Sequence, residues 1–313
     1  MLIFSGRYSW HYLRIVWITV PLLNGHRLLG PTRLAWPSGS RLISSTTNNL
    51  PDYEGARNPW PRTPYPDVQQ YTYRDYGNRV GFWRMTEVLD AYGIKCCVSL
   101  NLAVLEHYPE IAEAMVRRDW DFMSHGIYNT RYLYGYNEAR EREFYRDCID
   151  TLKRCTGKQL KGMLGPAISE TLRTPDLMAE AGLIYHTDWV HDDRPVPIRV
   201  ETGKLVSVPY SFELNDVPVF RANYEADYFV RICKAQFDQL YREGAQSGRV
   251  MCIALHPYLI GQPHRAKYLD EILNYIMSHA GVWQTTADEI AEYYIANYYD
   301  QAVAHAQQFQ VQA

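Results

Sequence analysis

From about Arg41 onward the chain alternates two hydrophobic patterns. Short apolar runs rich in β-branched and aromatic residues read as strands: RLISSTT (41–47), IKCCVSLN (94–101), DFMSHG (121–126), KGMLGP (161–166), IYHTDW (184–189), LVSVPY (205–210), RVMCIALH (249–256) and VWQTT (282–286). Between them lie stretches whose apolar residues recur every three or four positions, the spacing of a helix with one buried face. These cover 78–93, 103–119, 137–157, 173–182, 226–244, 267–281 and 287–299. In 226–244, for example, Phe229, Cys233, Phe237 and Leu240 share one stripe. Gly93 supplies a helix stop, and Pro109 predicts a break within 103–119. Residues 56–77 carry Pro59, Pro61, Pro64 and Pro66 and read as an extended loop.

About eight strands alternate with helices and no linker divides them, which predicts one barrel-like domain of the α/β class. We place it over 39–300, with an N-terminal extension over 1–38 and a C-terminal tail over 301–313. The extension has basic residues ahead of an apolar run from Ile15 to Leu23, faintly like a signal peptide. That run is too short to span a bilayer and no clear small-residue cleavage site follows it. In such barrels reacting groups gather where the carboxyl ends of the strands meet the following loops. Asn49, Asp52, His125, Gly165, Asp188 and His256 all fall at predicted strand ends.

Composition narrows the partners. With 32 Lys and Arg against 35 Asp and Glu, no cationic excess exists to track a nucleic-acid backbone or an anionic membrane, so neither partner is expected. The 26 tyrosines and 8 tryptophans offer flat apolar faces with a polar edge, suited to sugar rings or heterocycles as well as to cores. Six cysteines show no CxxC and no framework spacing; Cys96, Cys97 and Cys252 sit in apolar runs as small hydrophobes. Adjacent Cys96 and Cys97 would face opposite sides of a strand. This usage implies a reducing compartment and a cytoplasmic location.

Four stretches carry candidate chemistry. His125 and Asn129 stand four residues apart, so an imidazole and an amide could approach one ion, or the histidine could simply be hydrogen-bonded in a turn. HTDWVHDD brings Asp188, Asp192 and Asp193 beside His186 and His191, either as a binding cluster or as a solvated loop whose carboxylates cap the next element. Asp52 and Glu54 follow the first predicted strand and could act as a base, bind a metal or lie in an exposed turn. His256 ends an apolar strand, where an unpaired imidazole would cost stability and so needs a partner or a task.

In this order, YRDYGNRVGFWRMTEVLDAYGIK, YPEIAEAMVRRDWDFMSHG, MLGPAISETLRTPDLMAEAG, TDWVHDDRPVPIRV, LVSVPYSFELND and QSGRVMCIALHPYLIGQPHR resemble the polysaccharide deacetylase family, carbohydrate esterase family 4. The likeness runs from about Trp36 to Tyr299 and is nearest the allantoinase-like and peptidoglycan-deacetylase-like branch. The resemblance implies a distorted (β/α) barrel of seven to eight strands that hydrolyses non-peptide C–N bonds. It puts His256 at the position of the general acid, and His125 at that of the first histidine of the metal motif, with Asn129 where typical sugar deacetylases carry the second. Alignment on Asn49 puts Pro51 at the base position and Asp52 at a metal-ligand position; proline cannot take a proton, so Asp52 or Glu54 would have to serve as base. MLGP stands in place of the family's Arg-Pro motif, leaving Gly165 and Pro166 without its guanidinium unless Arg173 or Arg194 compensates.

The expectation is therefore a hydrolase of linear or cyclic amides, with His256 as acid and Asp52 or Glu54 as base. Asn49, Trp60, Trp83, Gly165, Pro166, Glu170, Asp188, Trp189 and Asp192 would bind substrate. Asp52, His125 and Asn129 would hold one divalent metal such as zinc, unless catalysis is metal-independent. The substrate would be a small amide or an N-acetylated sugar, and relatives of this branch suggest a homo-oligomer. A silent relative that binds a carbohydrate or small amide without turnover is the other reading, and Pro51 is its support.

Overall fold

The computed structural model describes residues 14–19, 68–129 and 131–310. The run at 41–47 and residues Asn49, Pro51, Asp52, Glu54 and Trp60 lie outside the described residues. The strands are β1 (Arg14–Thr19), β2 (Cys97–Leu100), β3 (Asp121–Ser124), β4 (Gly162–Met163), β5 (Tyr185–His186), β6 (Val196–Ile198), β7 (Leu205–Ser207), β8 (Arg249–Ala254) and β9 (Val282–Thr285). They form one sheet in the order β6-β7-β5-β4-β3-β2-β1-β8, parallel throughout except for the β6–β7 pair. β6 contains Pro197, which an edge strand tolerates because one side needs no ladder hydrogen bond.

Strand β9 pairs with β1 along Arg14–Trp17, whereas β2 meets β1 only at Thr19. The Gln284 side chain stitches this junction, accepting from the Lys95 backbone N–H at 3.0 Å and donating to the Lys95 carbonyl at 2.7 Å. At the other end of the sheet the chain beyond β7 returns to β8. The Ala254 N–H donates to the Leu214 carbonyl at 2.9 Å, and Asn215 bridges Ala254 in parallel. The sheet thereby curls into a distorted (β/α) barrel.

The helices are α1 (Val68–Tyr76), α2 (Phe82–Ala91), α3 (Ala103–His107), α4 (Pro109–Arg117), α5 (Glu138–Thr156), α6 (Thr174–Glu180), α7 (Asp216–Arg221), α8 (Ala226–Glu243), α9 (Pro257–Ile260), α10 (Ala266–Met277), α11 (Ala287–Asn297) and α12 (Tyr299–Gln310). A strand buried on both faces divides its side chains between two cores. Cys96 packs in the outer layer with Leu89 and Ile111, and Cys97 inside with Met123, Tyr185 and Val250, the opposite facing that a strand requires. Gly162 has no side chain because the Tyr185 ring fills the space a Cβ would occupy. All six cysteines are free.

Three segments differ from the sequence expectation. Residues 14–19, assigned to an extension, form β1 between β8 and β2. Residues 68–76, assigned to the extended loop, are helical, since after Pro66 no breaker occurs before Gly77. Residues 301–310, assigned to a tail, continue helix α12, whose start is docked by Tyr299 Oη donating to the Ile198 carbonyl (3.2 Å) and by Lys204 on Asp300 (2.6 Å). The break at Pro109 is present, with Tyr108 out of helical geometry between α3 and α4. No helix of the described residues is long and apolar enough to cross a membrane.

Candidate active site

His256 follows β8 and precedes Pro257, the first residue of α9. Its loop is braced from outside. A wide turn over 77–81 joins α1 to α2, and its Gly81 packs so tightly on the Pro257 carbonyl that a Cβ there would collide. Arg84 from α2 donates to the Gly261 carbonyl beyond it.

Within this brace, Asp216 holds the imidazole. Asp216 is fully buried at the start of α7, whose N-terminus is capped by Asn215 Oδ1 accepting from the Val217 N–H at 2.9 Å. Its Oδ1 lies 2.6 Å from His256 Nδ1 and its Oδ2 accepts the His256 backbone N–H at 2.9 Å. With Nδ1 committed, Nε2 is the ring atom left to face a ligand. Asn215 also donates to the buried Tyr210 hydroxyl at 2.9 Å, tying the same junction to the barrel interior. The sequence reading missed Asp216, because FELND reads only as a helix start and its partner lies forty residues away.

His125 leaves β3 through a turn that needs Gly126 in the left-handed region, at φ +73° against Pro166 and Phe144. Its Nδ1 lies 2.8 Å from the Leu164 carbonyl, which can only accept, so the proton sits on Nδ1 and Nε2 carries a lone pair. Burial pushes this ring down to about 4, the Leu164 hydrogen bond opposes that, and the facing His256 ring adds to the depression. His125 is therefore neutral near pH 7. Asn129 is half-buried and interacts with it through its side chain. The presentation of His125, with Nδ1–H anchored on a carbonyl and a lone pair at Nε2, is that of a metal-ligand histidine. Asn129 offers only an amide, and the two alone do not make a zinc set.

The next strands add a second group. The Gly165 N–H donates to Asp188 Oδ1 at 2.7 Å, so it is not left to serve a ligand. Pro166 begins a tight loop in which Ala167 and Ile168 both take positive φ, +54° and +55°, a strained state for a β-branched residue. Ser169 ties it down, its hydroxyl donating to the Pro166 carbonyl at 2.6 Å and accepting the Leu133 N–H at 2.9 Å. Glu170, His186 and Asp188 converge beyond it, with donor atoms within 4.8 Å of one another. Burial, and then the Glu170 charge, raises the Asp188 carboxyl well above its ordinary value. Burial works the same way on Glu170, but His186 and Trp189 outweigh it and hold that carboxyl below its ordinary value.

The remaining expected residues divide. Trp189 is partly exposed beside this group, its indole N–H 3.2 Å from Glu170 Oε2 and its ring edge-on to His186. Trp83 packs instead in the outer helical layer, edge-on to Phe82. Asp192 is exposed and accepts the Arg194 backbone N–H at 3.0 Å, the capping role of a solvated turn. Arg194 lies over Asp192, and Arg173 is engaged with Asp176, Glu138 and Glu201, so neither guanidinium meets Asp188.

Known proteins share the sequence pattern and fold that carry these residues. The family described as polysaccharide deacetylase matches residues 63–186. A polysaccharide deacetylase homologue of Schizosaccharomyces pombe is 26% identical over 259 residues, covering 77% of this chain and 80% of that protein. The peptidoglycan deacetylase of Helicobacter pylori is 22% identical over 251 residues, covering 69% of this chain and 84% of that protein. Among solved structures, Puue allantoinase superimposes with a TM-score of 0.74 at 26% identity over 93% of both chains. A polysaccharide deacetylase homologue from Pseudomonas aeruginosa PAO1 gives 0.73 at 25% identity over 91% of both chains. The chain is thus similar in sequence and fold to the polysaccharide deacetylase family, and this likeness supports hydrolysis of carbon–nitrogen bonds other than peptide bonds.

Proposed function

We propose that this protein hydrolyses the C–N bond of a small linear or cyclic amide, with His256 protonating the departing nitrogen. The observation that carries the reading is the doubly held Asp216–His256 pair at the end of β8, its ring near enough to the neutral His125 to disfavour a charge there. Expelling an amide anion is prohibitively uphill, so the reaction needs an acid placed at the leaving atom. Asp216 fixes the tautomer and direction of the ring, and the protonated imidazole delivers its Nε2 proton as the tetrahedral intermediate collapses.

Water activation falls to Asp52 or Glu54, which lie outside the described residues. Of the expected metal set, His125 and Asn129 are described and only His125 is a strong ligand. Within the described residues His125 would accept a hydrogen bond from substrate at Nε2. The missing Arg-Pro guanidinium supports a small substrate over a polymer, as does the likeness to an allantoinase. A cytoplasmic location and a homo-oligomer remain part of this proposal.

The test is a turnover screen of the purified chain against allantoin, hydantoins, cyclic imides and N-acetyl sugars. Hydrolysis of a ureide or imide is the expected result. Turnover of N-acetylated oligosaccharides alone would contradict the small-substrate assignment, and failure on every class would contradict the enzyme.

A further inference from the structure

We infer that Glu170, His186 and Asp188 form a closed site for one divalent cation of the zinc class, distinct from the His125–Asn129 pair. The three residues come from two neighbouring strand ends. Glu170 follows the strained loop after β4, His186 ends β5, and Asp188 lies two residues beyond.

The pattern of paired and unpaired atoms points to a cation-binding arrangement. Each carboxylate has one oxygen tied: Asp188 Oδ1 accepts from Gly165 N–H at 2.7 Å, and Glu170 Oε2 from Trp189 Nε1 at 3.2 Å. The other oxygen of each, Asp188 Oδ2 and Glu170 Oε1, and both ring nitrogens of the fully buried His186 reach no hydrogen-bond geometry with any group, although the three side chains interact with one another across the cluster. Buried donors and acceptors without a partner cost roughly 1–3 kcal/mol each, so atoms aimed at one point in this way call for a shared partner. Anchoring one oxygen while aiming the other is also how outer partners orient metal-binding carboxylates.

Charge and spacing select a cation. Two carboxylates meet one imidazole, and among the described residues no Lys or Arg forms an ion pair with either of them. His186 Nδ1 stands 3.5 Å from Glu170 Oε1. Adjacent ligands of a tetrahedral zinc with bonds of about 2.0–2.1 Å are separated by roughly 3.3–3.4 Å, so this pair already has the span of two ligands. Asp188, within 4.8 Å, completes the set after a small closure. One imidazole with two carboxylates favours zinc, manganese, cobalt or nickel over calcium or magnesium, which take oxygen alone.

The test uses Zn²⁺ itself with the chelator-stripped full chain, reading heat of binding and thermal midpoint. The wild type should bind zinc at this site and gain thermal stability with added metal. The isosteric Glu170→Gln and Asp188→Asn, each checked for folding by circular dichroism, should weaken this binding about 10- to 100-fold, whereas His125→Ala should leave it intact. Unchanged affinity in both isosteric variants, loss in His125→Ala alone, or no uptake by the wild type at about millimolar zinc would overturn the site. Because binding is read without turnover, this outcome is independent of the catalytic proposal.

Discussion

Asp216 meets His256 through both carboxylate oxygens, one on the backbone N–H at 2.9 Å and one on Nδ1 at 2.6 Å. A bidentate hold of this kind fixes where the loop leaves β8 and which way the ring faces. Asp216→Asn keeps the shape but can satisfy only one of the two donors with an oxygen. We expect kcat to fall about 10²- to 10⁴-fold with KM little changed, measured by steady-state kinetics. A larger effect on KM than on kcat would mean that Asp216 shapes substrate binding instead.

Asp288 supplies a pH dependence far in sequence from the acid. Burial raises its carboxyl to about 7, while Tyr185 Oη, donating at 2.6 Å, and Lys161 at 3.7 Å oppose the rise. Cys97, Asp121 and Glu292 also face this group. The folded protein therefore holds a proton here that the unfolded chain releases near 3.8. The resulting stabilisation is complete below that value and is lost as pH rises through about 7. Denaturant unfolding of wild type and Asp288→Asn at several pH values should show the variant gaining relative stability between pH 4 and 8, on the order of 2–4 kcal/mol. A constant difference would contradict the raised carboxyl.

The barrel interior should not tolerate a methyl group at position 162. Added there, it would overlap the Tyr185 ring, which is itself fully buried and tied to Asp288. Gly162→Ala is expected to destabilise by about 3 kcal/mol, measured by urea unfolding. A near-neutral outcome would mean that Tyr185 can vacate its position.

Thiol reactivity provides a check on the two cores. Burial raises the thiols of Cys96, Cys97, Cys148, Cys233 and Cys252, and only Cys155 is partly exposed. An aromatic disulfide reagent should label Cys155 slowly in the native protein and all six thiols in denaturant. Rapid native labelling of Cys97 or Cys252 would place solvent inside the barrel.

What the sequence revealed follows the physics of local pattern. A buried strand ending at His256 was legible because an apolar run closing on an imidazole demands a partner, and Cys96 and Cys97 were legible as opposite faces because strand side chains alternate. Asp216 was not, since a helix-opening aspartate looks the same whether it caps its own helix or grips a ring on another element. Asp192 fell to the bland reading of its loop, and Glu170 and His186 gained meaning only when the β4 and β5 ends met. β4 and β5 are two residues long, too short for periodicity to fix their limits.

The assignment of His256 as acid is tested most directly by how its removal depends on the leaving amine. His256→Ala should lose about 10²- to 10⁴-fold in kcat on a substrate that expels a strongly basic nitrogen, and far less on an aryl amide whose leaving group needs little protonation, with ligand affinity kept. Equal losses on the two substrates, or full activity of the variant on both, would contradict proton delivery from His256.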